Sequence, residues 1–242
     1  MTEKTLFHSN ITFEEAKKLI KNGADVNEES SGGKTPLFYV NDLDIARLLI
    51  QHGADLNHAN DTGHTPLFYA QNVDVAQLFI DNGADINAKT QDQLTLLFYV
   101  SDINLIDLYT KNSIDVNVID RLGRIVLYTG DKLTNKDKVA LLIKAGSNLN
   151  TQSDKGTALS VLKRYRNIDP VIPKLLIDNG AIASEIDDYL KYRNLFTIEQ
   201  QKAFDIFASI THNNEDFFHM CLAYQEGMKN LDQVEIKEMD IL

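Results

Sequence analysis

Apolar and polar positions follow one another in a block that returns every thirty residues. The pentapeptide TPLFY occupies residues 35–39 and 65–69, and TLLFY occupies residues 95–99. Each block continues with a second apolar stretch, such as LDIARLLIQ, and opens or closes on the motif GAD-x-N. A fixed period in this range is typical of small units that stack, because one unit alone cannot bury its apolar face. The pattern therefore predicts a stacked array.

Residues 35–57 contain the elements that we expect in one unit. Pro36 suits the first turn of a helix, where a residue without an N–H is tolerated, so we predict a short first helix over about residues 36–41. Asp42 then begins a second helix, which Gly53 ends in the left-handed conformation that glycine adopts at low cost. We expect the apolar side chains of the second helices to be buried between units. The predicted N-caps of these helices are Thr12, Asp42, Asn72, Asp102, Asn135 and Asp169.

These motifs resemble the ankyrin repeat. The resemblance rests on Thr-Pro-Leu at the start of a helix, Leu-Leu-Ile in the next helix and Gly-Ala-Asp-x-Asn after it. It covers roughly residues 5–183 and is most specific over 23–100. The family's period is about 33 residues, so here the turn between the two helices is shortened. Phenylalanine stands where the family usually has histidine. The resemblance implies an all-α ankyrin-repeat solenoid.

The repeat decays toward the C-terminal part of the chain. Ser113 replaces the expected glycine, and Ile125-Val126-Leu127 replaces Thr-Pro-Leu. We expect a partial N-terminal unit and about five repeats over residues 1–183. Residues 184–242 do not repeat, and we predict two to four helices there. Since a stacked array must be capped against water, this segment is either a helical C-terminal cap or an extension that also contacts a partner.

Charge and composition limit the possible partners. The net charge is −11, and residues 184–242 hold 12 of the 35 acidic residues. Phosphates would be repelled by such a chain, so we expect no nucleic-acid binding. Cys221 is the single cysteine, which excludes an intramolecular disulfide. The sequence shows no secretory signal and no apolar run of membrane length, so we expect a cytoplasmic chain without a membrane partner. We also expect it to be monomeric on its own.

No motif in the chain predicts catalysis or a cofactor. Phosphate loops, dinucleotide fingerprints and nucleophile elbows are absent from the sequence. The densest cluster of ligand-type residues is THNNEDFFHMC, with His212, Glu215, His219 and Cys221. His219 and Cys221 would fall on different faces of a helix, and we predict that Cys221 is a small buried apolar residue. We therefore expect no enzyme, no metal site and no cofactor.

Two features indicate a binding surface. Tyr39, Tyr69 and Tyr99 form a column on the first helices, and they either face a partner or form a packing ladder between units with their hydroxyls at its edge. The tip loops 28–34, 58–64, 88–94 and 118–124 differ while their frame stays fixed, through recognition or through neutral drift. His58 and His64 are expected to be solvent-exposed loop residues. The candidate partner-binding residues are Glu29, Lys34, Tyr39, His58, Asp61, His64, Tyr69, Asp92, Tyr99, Arg121 and Arg124.

The expected function is non-enzymatic binding of another protein. The chain is similar to ankyrin-type immunity proteins of bacterial toxin systems, which implies a basic toxin domain as the partner. The alternative is a secreted effector or an intracellular scaffold that binds a host or cellular protein. A second acidic surface competes with the tips as the contact. It consists of Glu215, Asp216, Asp232, Glu235 and Glu238.

Overall fold

The computed structural model describes residues 5–7, 10–165, 168–211 and 213–239, with side chains as far as residue 227. The regular elements of these residues are helical, which confirms the predicted all-α class. The chain divides into two compact units, residues 1–120 and residues 121–242. The predicted boundary after residue 183 falls inside the second unit and stays a prediction.

The first unit repeats a short 3-10 turn followed by an α-helix. The α-helices are α1 (Phe13–Lys21), α2 (Leu43–Gln51), α3 (Val73–Asp81) and α4 (Ile103–Lys111). The 3-10 turns are Pro36–Tyr39, Pro66–Tyr69 and Leu96–Phe98. The α-helices are the predicted second helices, and the turns stand where first helices were expected.

The second unit keeps this order at first and then changes to longer helices. Its α-helices are α5 (Lys136–Lys144), α6 (Ala158–Leu162), α7 (Val171–Asp178), α8 (Ile186–Tyr192), α9 (Ile198–Ile210) and α10 (Asn214–Met239). Its 3-10 turns are Val126–Tyr128, Lys132–Thr134 and Arg193–Leu195. The helices after residue 184 agree with the two to four that were predicted there.

The prediction of a first helix over about residues 36–41 is wrong. Pro36–Tyr39 is a 3-10 turn, and Val40 is already extended, with ψ of 125°. The few residues between Pro36 and Asp42 must both form the turn and lead the chain into α2. A 3-10 turn rises about 2 Å per residue and completes its winding in three residues, so it fits the shortened connection where an α-helix would not.

The helices begin at the predicted caps, except that α7 begins one residue later than predicted. The Asp42 carboxylate accepts bonds from the N–H groups of Asp44 and Ile45 at 3.0 and 2.9 Å. Equivalent pairs of bonds form at Asn72, Asp102 and Asn135, and Thr12 forms a capping box with Glu15. Asp169 accepts from the Val171 N–H at 2.9 Å, and its helix begins at Val171, one residue later than predicted.

The apolar residues of α2 and α3 form the core of the first unit, as predicted. Leu48 and Leu78 are each 7% exposed, and Leu49 and Phe79 are fully buried. A branched or aromatic side chain that is removed from water in this way stabilises the fold by about 1.5–3 kcal/mol. Burial between consecutive repeats therefore supplies the attraction that holds the stack together.

The asparagine that ends a GAD-x-N motif joins its repeat to the next repeat. The amide group of Asn27 donates to the Gly53 carbonyl at 2.9 Å, and its oxygen accepts from the Asp55 N–H at 2.8 Å. Asn57 makes the same two bonds thirty residues further on, at 2.9 and 2.7 Å. Each asparagine thus forms a clamp of two hydrogen bonds that sets the register between neighbouring units.

Ser113 is strained where other units have glycine. Gly53 and Gly83 end their helices with φ of 85° and 94°, and Ser113 takes the same left-handed region at 62°. The bond from the Ser113 N–H to the Thr110 carbonyl is 3.4 Å long, against 3.0 Å for the equivalent bond of Gly53. Among the described residues, Asn87 keeps only the second bond of its clamp. The connection is therefore weaker at this unit than at the two before it.

Lys132 is buried in the second unit, where its turn lies between two repeat elements. The residue is 1% exposed. Burial lowers the pKa of its amine to about 8, with a smaller contribution from Lys138 and against the opposing effect of Asp131. Asp131 itself is bound to Lys138 at 2.6 Å. The charged amine therefore destabilises the folded state.

We expect Ser113→Gly to raise the free energy of unfolding by about 0.5–1 kcal/mol. The left-handed conformation costs a non-glycine residue about 1–2 kcal/mol, and the greater freedom of glycine in the unfolded chain offsets part of the gain. Chemical denaturation measures the difference. The reciprocal change Gly83→Ser should lower stability by a similar amount, and a loss of stability in Ser113→Gly would contradict the assignment of strain.

We expect Lys132→Met to raise the free energy of unfolding at pH 7 by about 1–3 kcal/mol. The folded pKa, about 8, lies below the unfolded value of 10.5, so the unfolded chain binds the proton more tightly. The parent protein therefore regains stability as the pH rises from 8 to 10.5, and the advantage of the variant should shrink over this range. Urea denaturation across these pH values measures it, with the exposed Lys136→Met as the control. An advantage that is equal at every pH would show that Lys132 does not titrate there.

Candidate protein-binding surface

Each tip loop of the first unit turns through a left-handed residue at the same position. Gly33 and Gly63 have φ of 68° and 82°, and Gln93 takes 62° although it is not glycine. A β-carbon on Gly63 would come within 2.8 Å of the Gln91 backbone nitrogen. Neighbouring tips therefore pack so closely that their backbones touch.

One backbone hydrogen bond joins each tip to the tip before it. The Asp61 N–H donates to the Gly32 carbonyl at 3.2 Å, and the Gln91 N–H donates to the Thr62 carbonyl at 3.1 Å. In both cases the donor lies two residues, and the acceptor one residue, before the left-handed position. The tip backbones thus form a ladder in fixed register.

Acidic side chains project from this ladder. Glu29, Asp61 and Asp92 are all exposed. The Glu29 carboxylate lies 3.6 Å from Nε2 of His58, so the two side chains form an ion pair when the imidazole is protonated. The backbone is held while these carboxylates face water, which leaves them accessible to a partner.

The tyrosines form a packing ladder with the phenylalanines of the preceding repeat. The ring centroids of Phe38 and Tyr69 are 5.4 Å apart, and those of Phe68 and Tyr99 are 5.8 Å apart. Tyr39 and Tyr69 are half-buried, whereas Tyr99 is 49% exposed. The tyrosine column therefore packs between repeats, and Tyr99 also presents a large part of its ring to solvent.

His58 and His64 were predicted to be solvent-exposed, but the structure does not leave them exposed. Nε2 of His58 lies 2.9 Å from the Gly33 carbonyl, and Nδ1 of His64 lies 2.7 Å from the Thr62 hydroxyl. The His64 ring packs edge-on against Tyr99 at 5.1 Å. Both residues are half-buried, because His58 lies against the neighbouring tip and His64 lies among the rings of Phe68, Tyr69 and Tyr99. They support the tips instead of projecting from them.

Lys34 joins the aromatic ladder to the charged tips. Its ammonium lies 4.2 Å from the ring centroid of Tyr69 and 5.9 Å from that of Tyr39. A cation over an aromatic face contributes about 0.5–2 kcal/mol, according to its desolvation. The pKa of His64 is lowered by burial and, to a smaller extent, by the positive charge of Lys34. Lys34 therefore places a positive charge at the centre of the surface, and the lowered pKa of His64 favours the neutral form of the imidazole beside it.

Arg121 and Arg124 belong to the second unit. Arg121 is exposed and Arg124 is half-buried. The other nine candidate residues lie in the first unit. Of these, Lys34, Tyr39, His64, Tyr69 and Tyr99 contact one another through their rings or charges.

Two features of the repeats were missed by reasoning from sequence. Lys34 and His64 occupy the same position thirty residues apart, and both pack against tyrosines. Their shared position was the available signal. Tyr128 takes the place of the phenylalanine column in the second unit, and its buried hydroxyl can donate its one hydrogen to the carbonyl of Thr151 or of Leu149, at 3.0 and 3.2 Å.

The C-terminal cluster of ligand-type residues does not converge. Cys221 is buried, as predicted, and burial raises the pKa of its thiol to about 12. His219 is exposed and lies 4.0 Å from Glu215. In the part of the chain that the structure describes, no three histidine, cysteine or acidic residues are placed to bind a metal ion. His212 lies outside the described residues, as do the side chains of Asp232, Glu235 and Glu238.

Residues 8–90 match the family model of ankyrin repeats, in three copies. These residues are ankyrin repeats. No curated protein sequence matches the chain. The described residues thus form an all-α fold, in which residues 8–90 are the ankyrin repeats and further helices follow them. Of the described helices, none is both long and apolar enough to span a membrane.

Ankyrin repeats are protein–protein interaction modules and generally act as non-enzymatic scaffolds. The tip loops and the first turns are the positions at which the family usually makes contact. In this chain the tip ladder and the tyrosine column occupy those positions within the matched region and directly after it.

Proposed function

We propose that the ankyrin repeats bind a partner protein through a surface that we name the tyrosine–tip surface. It consists of Lys34, Tyr39, His64, Tyr69 and Tyr99 with the tips 28–34, 58–64 and 88–94. The observation that carries the proposal is the exposure of Tyr99 at the end of a ladder whose other rings are held in place. A tyrosine that is already fixed by packing loses little entropy on binding, which suits it as an anchor.

The carboxylates at the tips support a further role for the same surface, which is to attract a partner of opposite charge. Glu29, Asp61 and Asp92 are exposed around the aromatic ladder. Charges at the rim of an interface mainly change the rate of association, whereas buried aromatic anchors hold the complex. The surface therefore suits a partner that has an apolar pocket within a basic region.

We further propose that this partner is a basic toxin domain and that the protein is its immunity protein. The net charge of −11 and the exposed acidic tips support a basic partner. An acidic protein binds well to surfaces that grip phosphate, such as those of nucleases, because their charges are complementary. The alternative role, as a secreted effector or an intracellular scaffold, would need neither a toxic partner nor a basic one.

Tyr99→Ala should raise the dissociation rate of the partner complex by about tenfold, which corresponds to about 1.4 kcal/mol. The substitution removes the exposed anchor, and surface plasmon resonance measures the rate. Val73→Ala is the matched control, because Val73 is a partly exposed apolar residue of a second helix, outside the surface. Charge reversal at Glu235 and Glu238 should leave the dissociation rate unchanged. If this reversal abolishes binding while Tyr99→Ala binds normally, the C-terminal segment is the contact instead.

Co-expression tests the immunity role. We expect the protein to restore the growth of bacteria that express the toxin domain of a neighbouring gene, and Tyr99→Ala to restore it less well. The restoring effect should follow the affinity of the complex, because the toxin must be held continuously. A partner that captures the protein tightly but has no effect on growth would contradict neutralisation and favour the scaffold or effector role.

A further inference from the structure

Asparagine is followed by glycine at the ends of three helices. The pairs are Asn22-Gly23 after α1, Asn82-Gly83 after α3 and Asn179-Gly180 after α7. The three asparagines are all exposed, and the glycines share the left-handed conformation, with φ of 92°, 94° and 93°. The pairs therefore agree in sequence, exposure and backbone conformation, and they differ in the hydrogen bonds that hold each turn.

The side chains of Asn82 and Asn179 are held by their own helices. Nδ2 of Asn82 donates to the Leu78 carbonyl at 2.8 Å, and Nδ2 of Asn179 donates to the Leu175 carbonyl at 2.8 Å. Among the described residues, the carboxamide of Asn22 has no hydrogen-bond partner. The Asn22 side chain is therefore free to turn toward the next residue, whereas the other two are fixed against the helix before them.

The backbones of these two turns are also held from outside by the asparagine clamps. Nδ2 of Asn57 donates to the Gly83 carbonyl at 2.9 Å, and its oxygen accepts from the Asp85 N–H at 2.7 Å. Asn150 makes the two equivalent bonds to the turn at Gly180, at 2.9 Å each. Either turn can therefore open only when its clamp is broken as well.

The turn at Asn22 lacks this support. No described residue donates to the Gly23 carbonyl or accepts from the Asp25 N–H, and both residues are exposed. Compared with the Asn82 turn, this turn is without three hydrogen bonds, one from the asparagine side chain and two from the clamp. Each such bond favours the closed turn, so the Asn22 turn opens more often than the other two.

An asparagine that precedes glycine is chemically reactive when its turn opens. In the closed turn the Gly23 N–H donates to the Ile20 carbonyl at 3.0 Å. Once released, the Gly23 nitrogen attacks Cγ of Asn22 and closes a five-membered imide, because glycine has no side chain to hinder the approach. The carboxamide nitrogen leaves as ammonia and takes up the proton of the Gly23 N–H. Water then opens the ring at one of its two carbonyls, which produces aspartate or isoaspartate.

We propose that Asn22 is a site of spontaneous deamidation, with water as the co-reactant, and that the reaction loosens the first repeat. A carboxylate at residue 22 lies at the C-terminal end of α1, where the helix dipole disfavours negative charge. Isoaspartate also adds a backbone atom shortly before Asp25, which holds the N–H of the first clamp residue, Asn27, at 2.9 Å. This inference does not depend on the tyrosine–tip surface.

Ageing of the full chain at mildly alkaline pH tests the site. Mass spectrometry of proteolytic peptides gives the deamidation rate at each asparagine. Asn22 should react at least about tenfold faster than Asn82 and Asn179, because three fewer hydrogen bonds hold its turn closed. In concentrated guanidinium chloride the three rates should become similar, since the turns are then lost. The proposal is wrong if Asn22 of the folded protein reacts no faster than Asn82, or if the difference persists in denaturant.

Removal of a clamp should expose a protected site. Asn57→Ala deletes both clamp bonds on the Asn82 turn, and it should raise the rate at Asn82 by about fivefold or more. Asn179 keeps its own clamp from Asn150 and serves as the internal control, because its rate should stay the same. An unchanged rate at Asn82 in this variant would overturn the proposed protection by the clamp.

The effect on the first repeat has a separate measurement. Asn22→Gln keeps an exposed carboxamide, but its reaction would need a six-membered imide, which forms far more slowly. The urea midpoint of the parent protein should fall as Asn22 reacts, whereas the midpoint of the variant should stay constant over the same time. A parent midpoint that does not change after Asn22 has reacted would overturn the loosening of the first repeat.

Discussion

The register between consecutive repeats depends on an asparagine side chain, which forms two bonds at Asn27, Asn57 and Asn150. An amide side chain carries both a donor and an acceptor, so Asn27 can satisfy the Gly53 carbonyl and the Asp55 N–H together. Aspartate at this position would offer acceptors alone and would leave the carbonyl without a donor. Asp25 holds the Asn27 backbone N–H at 2.9 Å, which fixes the direction of the clamp. Apolar burial supplies the attraction between units, and the clamp supplies their register.

The proposed binding surface is a consequence of this register. Phe38 meets Tyr69, and Phe68 meets Tyr99, because each repeat is held at the same offset from the one before it. The same offset brings the tips close enough for a backbone bond, which Gly63 permits by lacking a β-carbon. A shift between two units would separate the rings and the tips together. The surface is therefore as rigid as the joints beneath it.

The period of thirty residues was sufficient to predict the elements that repeat. It located the caps such as Asp42, the helix-ending Gly53 and the buried Leu48, because each of these depends on local backbone chemistry. It did not give the type of the first element, since the length of the connection selects a 3-10 turn at Pro36. The burial of His58 and His64 was also missed. Their surroundings come from the neighbouring tip and from rings about thirty residues away, and no local pattern contains that information.

The repeats also have a direction. At the two joints after Asn27 and Asn57, the earlier repeat supplies the clamp and the tip carbonyl, and the later repeat supplies the N–H of the tip. At the end of the array, Asn150 completes its clamp with the Gly180 carbonyl and the Ile182 N–H, at 2.9 Å each. In place of a further tip, the Ser184 hydroxyl lies beside Gly156 and accepts from the Thr157 N–H at 3.4 Å. The segment that leads into α8 thus completes the last clamp and fills the place of a further tip.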